Sequence, residues 1–340
     1  MTLTEHGRSN VSLESWQKQL TQAVRDSDEL IKLLELPVSL SEPARRAAKL
    51  FPLMVPLSYI NRMKRGDLND PLLRQVLPLG LEESTDAPLF VLDAVGDQEA
   101  KRAPGLLHKY AGRALLVTTG ACAVHCRYCF RRHYPYGDDP KRLADWEPAF
   151  ETLRRDTSIH EVILSGGDPL MLTDLRLKEL CDLIDEIPHV KRLRIHTRLP
   201  IVLPERVTPR FWEMIVGSPR RVTSILVVHA NHPQELDLSC LGALRSLVRA
   251  GCPVLNQAVL LAGVNDHVEP LAELCEKLVD IGVIPYYLHQ LDRVLGTSHF
   301  EVPEAKGLQL VAELRKRLPG YAVPQYVREV AGELHKSPIS

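Results

Sequence analysis

Two hydrophobic textures divide the chain. Over roughly the first hundred residues the apolar positions recur at helical spacing. In SLSEPARRAAKLFPLMVP, at 39–56, Ser41 is the candidate N-cap and Pro43 falls in the first turn. DLNDPLLRQVLP at 67–78 reads as turn-rich, and KRAPGLLHKYAGR at 101–113 as a basic connecting loop. From Arg113 the pattern changes. Short β-rich runs alternate with amphipathic stretches: RALLVTT from 113, HEVILSG from 160, KRLRIHT from 191, RVTSILVVHA from 221, CPVLNQAVLL from 252 and VIPYYLHQ from 283. LTDLRLKELCDLIDE and VEPLAELCEKLVDIG are two of the helical stretches between them. After the first gap the runs start 30–31 residues apart, the length of one βα unit. Six such units predict a partial or open barrel with parallel strands inside and helices outside. The helix AKGLQLVAELRKRL, a last strand in YAVPQYVREV and a short tail ending HKSPIS follow.

Composition and charge narrow the function classes. The 340-residue chain is 25% charged and 45% hydrophobic, ordinary globular values, with a formal net charge of −1. That balance supplies no global field for nucleic acid or an anionic membrane surface. No apolar run reaches the ~18 residues of a membrane span. The N-terminal MTLTEHGRSNVSLES is polar and lacks the apolar core of a signal peptide. Seven cysteines, three of them clustered, fit a disulfide scaffold poorly in a chain of this length. A reducing cytoplasm is the expected location. Cys181 and Cys275 are expected in helices, Cys240 just before a helix and Cys252 at a strand start, all four as core thiols.

In a parallel barrel the chemistry gathers at the C-terminal ends of the strands. There the chain carries the cysteine loop, then Ser165-Gly166-Gly167-Asp168, His196 and Arg198, His229, Asn256 and Gln257, His289 and Asp292, and finally Lys336. In GACAVHCRYCFRRHYPY, at 120–136, Cys122, Cys126 and Cys129 are spaced C-x3-C-x2-C. Three thiolates can converge on a zinc ion, with a fourth ligand from His125 or from afar. They can also hold an iron–sulfur cube and leave one iron open. The spacing favours the cube.

C-x3-C-x-aromatic-C, with Tyr128 as the aromatic, resembles the radical S-adenosylmethionine (SAM) enzymes, in which SAM occupies the open iron. SGGDPL at 165–170 is similar to the glycine-rich segment that cradles the SAM amino group there. Alone, Gly166-Gly167 would read as a tight strand-to-helix turn. More narrowly, DLNDPLLRQVLP, APGLLHKYAGRALL, CRYCFRRH, EVILSGGDPL, RLRIHTRLPIVLPERV, HANHPQEL, NQAVLLAGVND, GTSHFEVPEAKG and GYAVPQYV resemble the lysine 2,3-aminomutases over roughly residues 60–340.

The resemblance implies a radical SAM-type α/β fold. A helical N-terminal region would span 1–110, a partial (β/α)6 barrel 111–317, and a C-terminal strand and tail 318–340. It implies a [4Fe-4S] cluster on Cys122, Cys126 and Cys129, SAM, and pyridoxal 5′-phosphate (PLP). The reaction would exchange the α-amino group of L-lysine with a hydrogen on the β-carbon. Lys336 matches the lysine that forms the PLP Schiff base, although the family's glycine-rich approach is replaced here by Ala331-Gly332-Glu333-Leu334-His335. Lys109, Tyr110 and Arg113 match the PLP phosphate segment. Ser165, Gly166, Gly167, Asp168, His229, Asn256 and Gln257 match SAM contacts. Arg131 matches the partner of the substrate carboxylate, a task suited to a guanidinium fork. Asp292 and Glu329 match the two acids that hold the substrate ε-ammonium, with glutamate where the family has aspartate at the second position. Two acids argue against a glutamate-type substrate, which needs a distal cation.

The zinc-binding C-terminal extension of longer family members is absent, and His267 stands where they have a cysteine, so a zinc-linked oligomer is not expected. The short form resembles the members that make (R)-β-lysine for a separate ligase to attach to elongation factor P. Free β-lysine for catabolism or osmoprotection, and a metal module without turnover, are the alternatives.

Overall fold

The computed structural model describes residues 15–83, 87–217 and 220–340. The polar N-terminal run over 1–14 lies outside the described residues. One ten-stranded sheet is laid down in chain order: β1 (Lys101–Ala103), β2 (Leu106–Tyr110), β3 (Arg113–Thr119), β4 (Glu161–Gly166), β5 (Arg192–Thr197), β6 (Thr223–His229), β7 (Val254–Val259), β8 (Ile284–His289), β9 (Gln325–Arg328) and β10 (Ser337–Pro338). β3 through β9 run parallel, and antiparallel neighbours close each end: β1 and β2 at one, β10 at the other. Six βα units and the returning strand thus make an open barrel, as the 30–31-residue repeat implies.

Alternation along the strands decides what each face does. On β5, Leu193, Ile195 and Thr197 are buried, and the first two join the core under the helices. Arg194 and His196, on the opposite face, line an internal cavity. The barrel interior is therefore an open cavity that carries charged and polar side chains among apolar ones, rather than being filled with layers of aliphatic side chains. The helices Asp174–Asp185, Leu238–Arg249 and Val268–Val279 cover the outside and bury Cys181, Cys240 and Cys275. Cys240 lies inside its helix rather than before it, because Asp237 caps the helix by accepting from the Cys240 N–H at 2.8 Å.

Two expectations are corrected. The 101–113 segment is a β-hairpin rather than a connecting loop. Leu106 and Leu107 are buried, and Gly105 turns the chain at φ +73°, pressed so close to Pro140 and Trp146 that a Cβ would stand 2.8 Å from each. Ser41 is the first helical residue of Ser41–Leu50 rather than its N-cap. A 3-10 turn over Val38–Leu40 runs straight into the helix and places Ser41 at φ −59°, ψ −45°.

The N-terminal region shares the barrel's core: Trp16, Leu30, Tyr59 and Leu72 pack in the same buried cluster as Leu164, Leu193 and Leu226. Ser58 Oγ donates to Val202 O at 2.6 Å and Arg62 Nη1 to Ile201 O at 2.7 Å, joining the two regions through hydrogen bonds as well. Among the described residues, no helix is long and apolar enough to cross a membrane.

Candidate active site

The site begins where β3 and β4 end together. Gly167 N–H donates to Thr119 O at 2.7 Å and Asp168 N–H to Ala121 O at 2.8 Å, which fastens the cysteine loop to the end of β4. Both glycines are forced by this approach. Gly166 has φ +118°, and a Cβ on it would lie 2.7 Å from Thr119 O; a Cβ on Gly167 would run into the Ala121 carbonyl. Asp168 completes the joint. Its Oδ1 accepts from Leu170 N–H at 3.0 Å and the Thr197 hydroxyl at 2.7 Å, and its Oδ2 from Arg198 N–H at 2.7 Å and Leu199 N–H at 3.0 Å. Its carboxylate, expected to meet SAM, is thus committed to holding the rim of β4 to that of β5.

Cys122, Cys126 and Cys129 all face the cavity. Burial and then the neighbouring Cys129 push the Cys122 thiol well above its ordinary range, and burial and then Cys126 push Cys129 to about 11. Neighbouring cysteines contribute to both shifts, so the loop gathers its thiols at one place. Among the described residues, no three His, Cys, Asp or Glu side chains close on a single ion. Arg198 Nη1 reaches Cys126 Sγ at 2.7 Å.

Across the cavity a chain of charges links residues far apart in sequence. Asp97, 2% exposed, accepts from Lys109 Nζ at 2.6 Å through Oδ1 and from Arg131 Nε at 2.7 Å through Oδ2. Burial works against its ionised form, but Arg131 and Lys109 outweigh that and hold the carboxyl below its usual range. Arg131 Nη1 also donates to Ser165 Oγ at 3.1 Å. Lys109 continues to Glu329 Oε1 at 3.0 Å, and the other oxygen of Glu329 meets Lys336 Nζ. Burial opposes the Glu329 charge too, yet the two ammonium groups pull its carboxyl far down. Asp292 sits beside this chain with no side-chain partner among the described residues. Burial, and then repulsion from Glu329, raise its carboxyl to about 7. The Arg113 guanidinium lies 4.6 Å from the Tyr110 ring centroid on the same wall.

Between the two ends, His229 Nε2 pairs with the Tyr128 hydroxyl at 3.0 Å, and burial, then Arg198, lower the imidazole to about 3. It is neutral at any working pH. Gln257 also lines the cavity. Asn256 instead bonds the backbone of Ala230 through both its amide atoms, a structural bracket between β6 and β7.

Of the candidate site residues named from the sequence, all but Asn256 line this one cavity, whose volume of about 340 Å³ is within the range of small-molecule pockets. Four participants were missed: Asp97, Glu235, Gln75 and Asn231. The first pairs Arg131 with Lys109, and the others tie Arg198 and Tyr128 behind the cysteine loop. Nothing in the surrounding sequence distinguishes Asp97 from a surface acid. The unassigned loop residues are struts: Arg132 Nη1 donates to Arg127 O and Gly296 O at 3.0 and 3.1 Å, and Tyr134 packs against Tyr136 with centroids 4.8 Å apart.

The Radical SAM superfamily pattern matches residues 116–219, from β3 through the β5–β6 connection. An L-lysine 2,3-aminomutase of Escherichia coli (strain K12) is 46% identical over 329 residues, covering 96% of this chain and 95% of its own length. An L-lysine 2,3-aminomutase of Haemophilus influenzae is 41% identical over 95% of both chains. One of Clostridium subterminale is 34% identical over 97% of this chain and 79% of its own. Identity of 46% and 41% over almost the whole length of both chains establishes that the chain belongs to the lysine 2,3-aminomutase family of radical SAM isomerases.

Proposed function

We propose that the chain converts L-lysine to (R)-β-lysine, using SAM on a [4Fe-4S] cluster together with PLP. One observation carries the reading. The three thiols, Arg131, Lys336, Asp292 and Glu329 all line a single cavity. A carboxylate-binding fork and a pair of acids in one chamber suit an amino acid that carries a second, distal ammonium group.

The residues fit the absent groups. Cys122, Cys126 and Cys129 would hold the cluster, Lys336 the PLP aldehyde, and Lys109, Tyr110 and Arg113 the PLP phosphate. His196 Nε2 and Arg194 Nε are buried without a hydrogen-bond partner, and both residues line the cavity, so polar ligand atoms are needed there. When bound, SAM and the cluster supply a carbon radical, and PLP stabilises it during the 1,2-shift.

The chain's own residues do the positioning. Asp97 holds Arg131 and Lys109 in one geometry, so the carboxylate fork and the phosphate-binding cation move as a unit. Glu329 keeps Lys336 Nζ in place through their ion pair until that contact is given up. Asp292, with no side-chain partner among the described residues, is the acid available for a substrate ε-ammonium. Neutral His229 adds polarity without a competing charge.

Anaerobic reconstitution with iron and sulfide, followed by L-lysine, PLP, SAM and dithionite, tests the proposal. β-Lysine is the expected product, and its absence from fully loaded protein sinks the claim. We further propose that the product serves elongation factor P through a separate ligase, in a reducing cytoplasm that keeps the clustered thiols free. This rests on the resemblance to the short members of the family. Intact mass of elongation factor P in cells with and without the gene checks it. An unchanged mass points to free β-lysine instead.

A further inference from the structure

Arg198 follows β5 and stands behind the cysteine loop, 7% exposed. Its two terminal nitrogens do different things. Nη1 donates to Cys126 Sγ at 2.7 Å. Nη2 is held by Glu235 Oε2 at 2.8 Å, Gln75 Oε1 at 2.7 Å and the Tyr59 hydroxyl at 3.1 Å. The Tyr59 and Tyr128 ring centroids each lie 5.6 Å from the guanidinium carbon. Glu235 is fully buried and fixed in turn, its Oε1 accepting from Asn231 N–H at 2.8 Å and His232 N–H at 3.1 Å. The result is a rigid buried ion pair with its positive end on a thiol sulfur and its negative end turned away.

A surface arginine does not need this much anchoring, and a purely structural strut does not need to end on a sulfur. The potential of an iron–sulfur cluster depends on hydrogen bonds to its sulfurs and on nearby charge, and inside a protein the nearest charge is felt most strongly because screening is weak. We infer that Arg198 is a positioning residue that sets the reduction potential of the cluster: its charge and hydrogen bond at Cys126 favour the reduced cluster, and Glu235 moderates that pull. The inference rests on the reading of the three cysteines as cluster ligands. It assigns opposite effects to the two members of one ion pair. Loss of the guanidinium makes the one-electron couple more negative. Loss of the carboxylate charge leaves the guanidinium less compensated and makes it more positive.

Wild-type, Arg198→Gln, Arg198→Lys and Glu235→Gln proteins are reconstituted anaerobically, and their iron and sulfide are counted. Each is then poised against redox mediators, and the reduced fraction is read by electron paramagnetic resonance. At a fixed poise, Arg198→Gln is expected to lower the reduced-to-oxidised ratio about tenfold, a midpoint shift of about 59 mV for a one-electron couple. Arg198→Lys, which restores the charge with fewer donors, recovers part of the loss. Glu235→Gln raises the ratio. A structural strut predicts lower thermal stability for all three variants with unchanged midpoints in whatever protein loads. Ratios within twofold of wild type, or shifts of the same sign for Arg198→Gln and Glu235→Gln, overturn the inference. Where Arg198→Gln does not take up a cluster, the signs for Arg198→Lys and Glu235→Gln decide it. A wild-type chain that loads no cluster overturns the underlying reading instead.

Discussion

The two ends of the cavity are assembled in opposite ways. At one end a single loop carries Cys122, Cys126 and Cys129, and the turn that follows the next strand, Gly166 to Asp168, locks it in place. At the other end, Asp97, Lys109, Arg131, Glu329 and Lys336, far apart in sequence, cohere through alternating charge, with Asp292 beside them. The cysteine end is a matter of backbone fit, and the tail end a matter of electrostatic balance. The same kind of substitution should therefore fail differently at each.

The largest effects remove a group outright. Cys126→Ala is expected to abolish β-lysine formation and the visible cluster absorbance together. Lys336→Ala should abolish product formation while leaving the cluster spectrum intact. Product assay and absorbance on the same samples separate the two ends. A Lys336→Ala protein that still turns over would remove the tail from the site.

Asp97→Asn comes next. It leaves the buried Arg131 and the half-buried Lys109 without their shared carboxylate, and breaking a buried pair costs about 3–5 kcal/mol. Denaturant midpoints should fall accordingly. In protein that remains folded, KM for lysine should rise more than kcat falls, because Arg131 loses its orientation. Gly167→Ala asks the same of the cysteine end. Its new methyl meets the Ala121 carbonyl, so the loop must move, at about 1–3 kcal/mol of overpacking. Iron content should drop with little change in PLP affinity. An Asp97→Asn that lost iron, or a Gly167→Ala that lost PLP, would erase the distinction between the two ends.

How far the sequence foretold each end follows from the same contrast. The cysteine loop is contiguous, so its spacing could be read directly, and the barrel repeat could be read because every βα unit restates it. Resemblance alone singled out Lys336 and Glu329, since nothing local marks an acid or an amine in a tail. Asp97 escaped even that. Its role exists only after β2 carries Lys109 and the cysteine loop carries Arg131 to the same point. The hairpin at 101–110 was missed because Gly105 and its basic neighbours imitate a loop, whereas burial of Leu106 and Leu107 against the rest of the fold makes them a strand.

The smallest effect expected is a pH response confined to the tail end. The Asp292 carboxyl stands at about 7 in the folded protein, raised first by burial and then by Glu329. In the unfolded chain it ionises near the ordinary aspartate value, about 4. Between these values the folded state binds more protons than the unfolded one, so this group makes stability fall as pH rises from about 4 to about 7, with no further loss above. Glu329, pulled down by Lys336 and Lys109 against the effect of burial, contributes the reverse: stability present above the ordinary glutamate range and lost as pH falls below it. Asp292→Asn should therefore leave the ligand-free protein more stable at pH 8 and nearly unchanged at pH 4, read as melting temperature. Lysine binding asks for the opposite state. An ε-ammonium needs Asp292 ionised, so kcat/KM should climb about tenfold per unit below pH 7 and level off above it. Asp292→Asn should flatten that limb. A substrate profile that rises through pH 7 and survives Asp292→Asn would assign the titration elsewhere and leave Glu329 as the sole acid at that end.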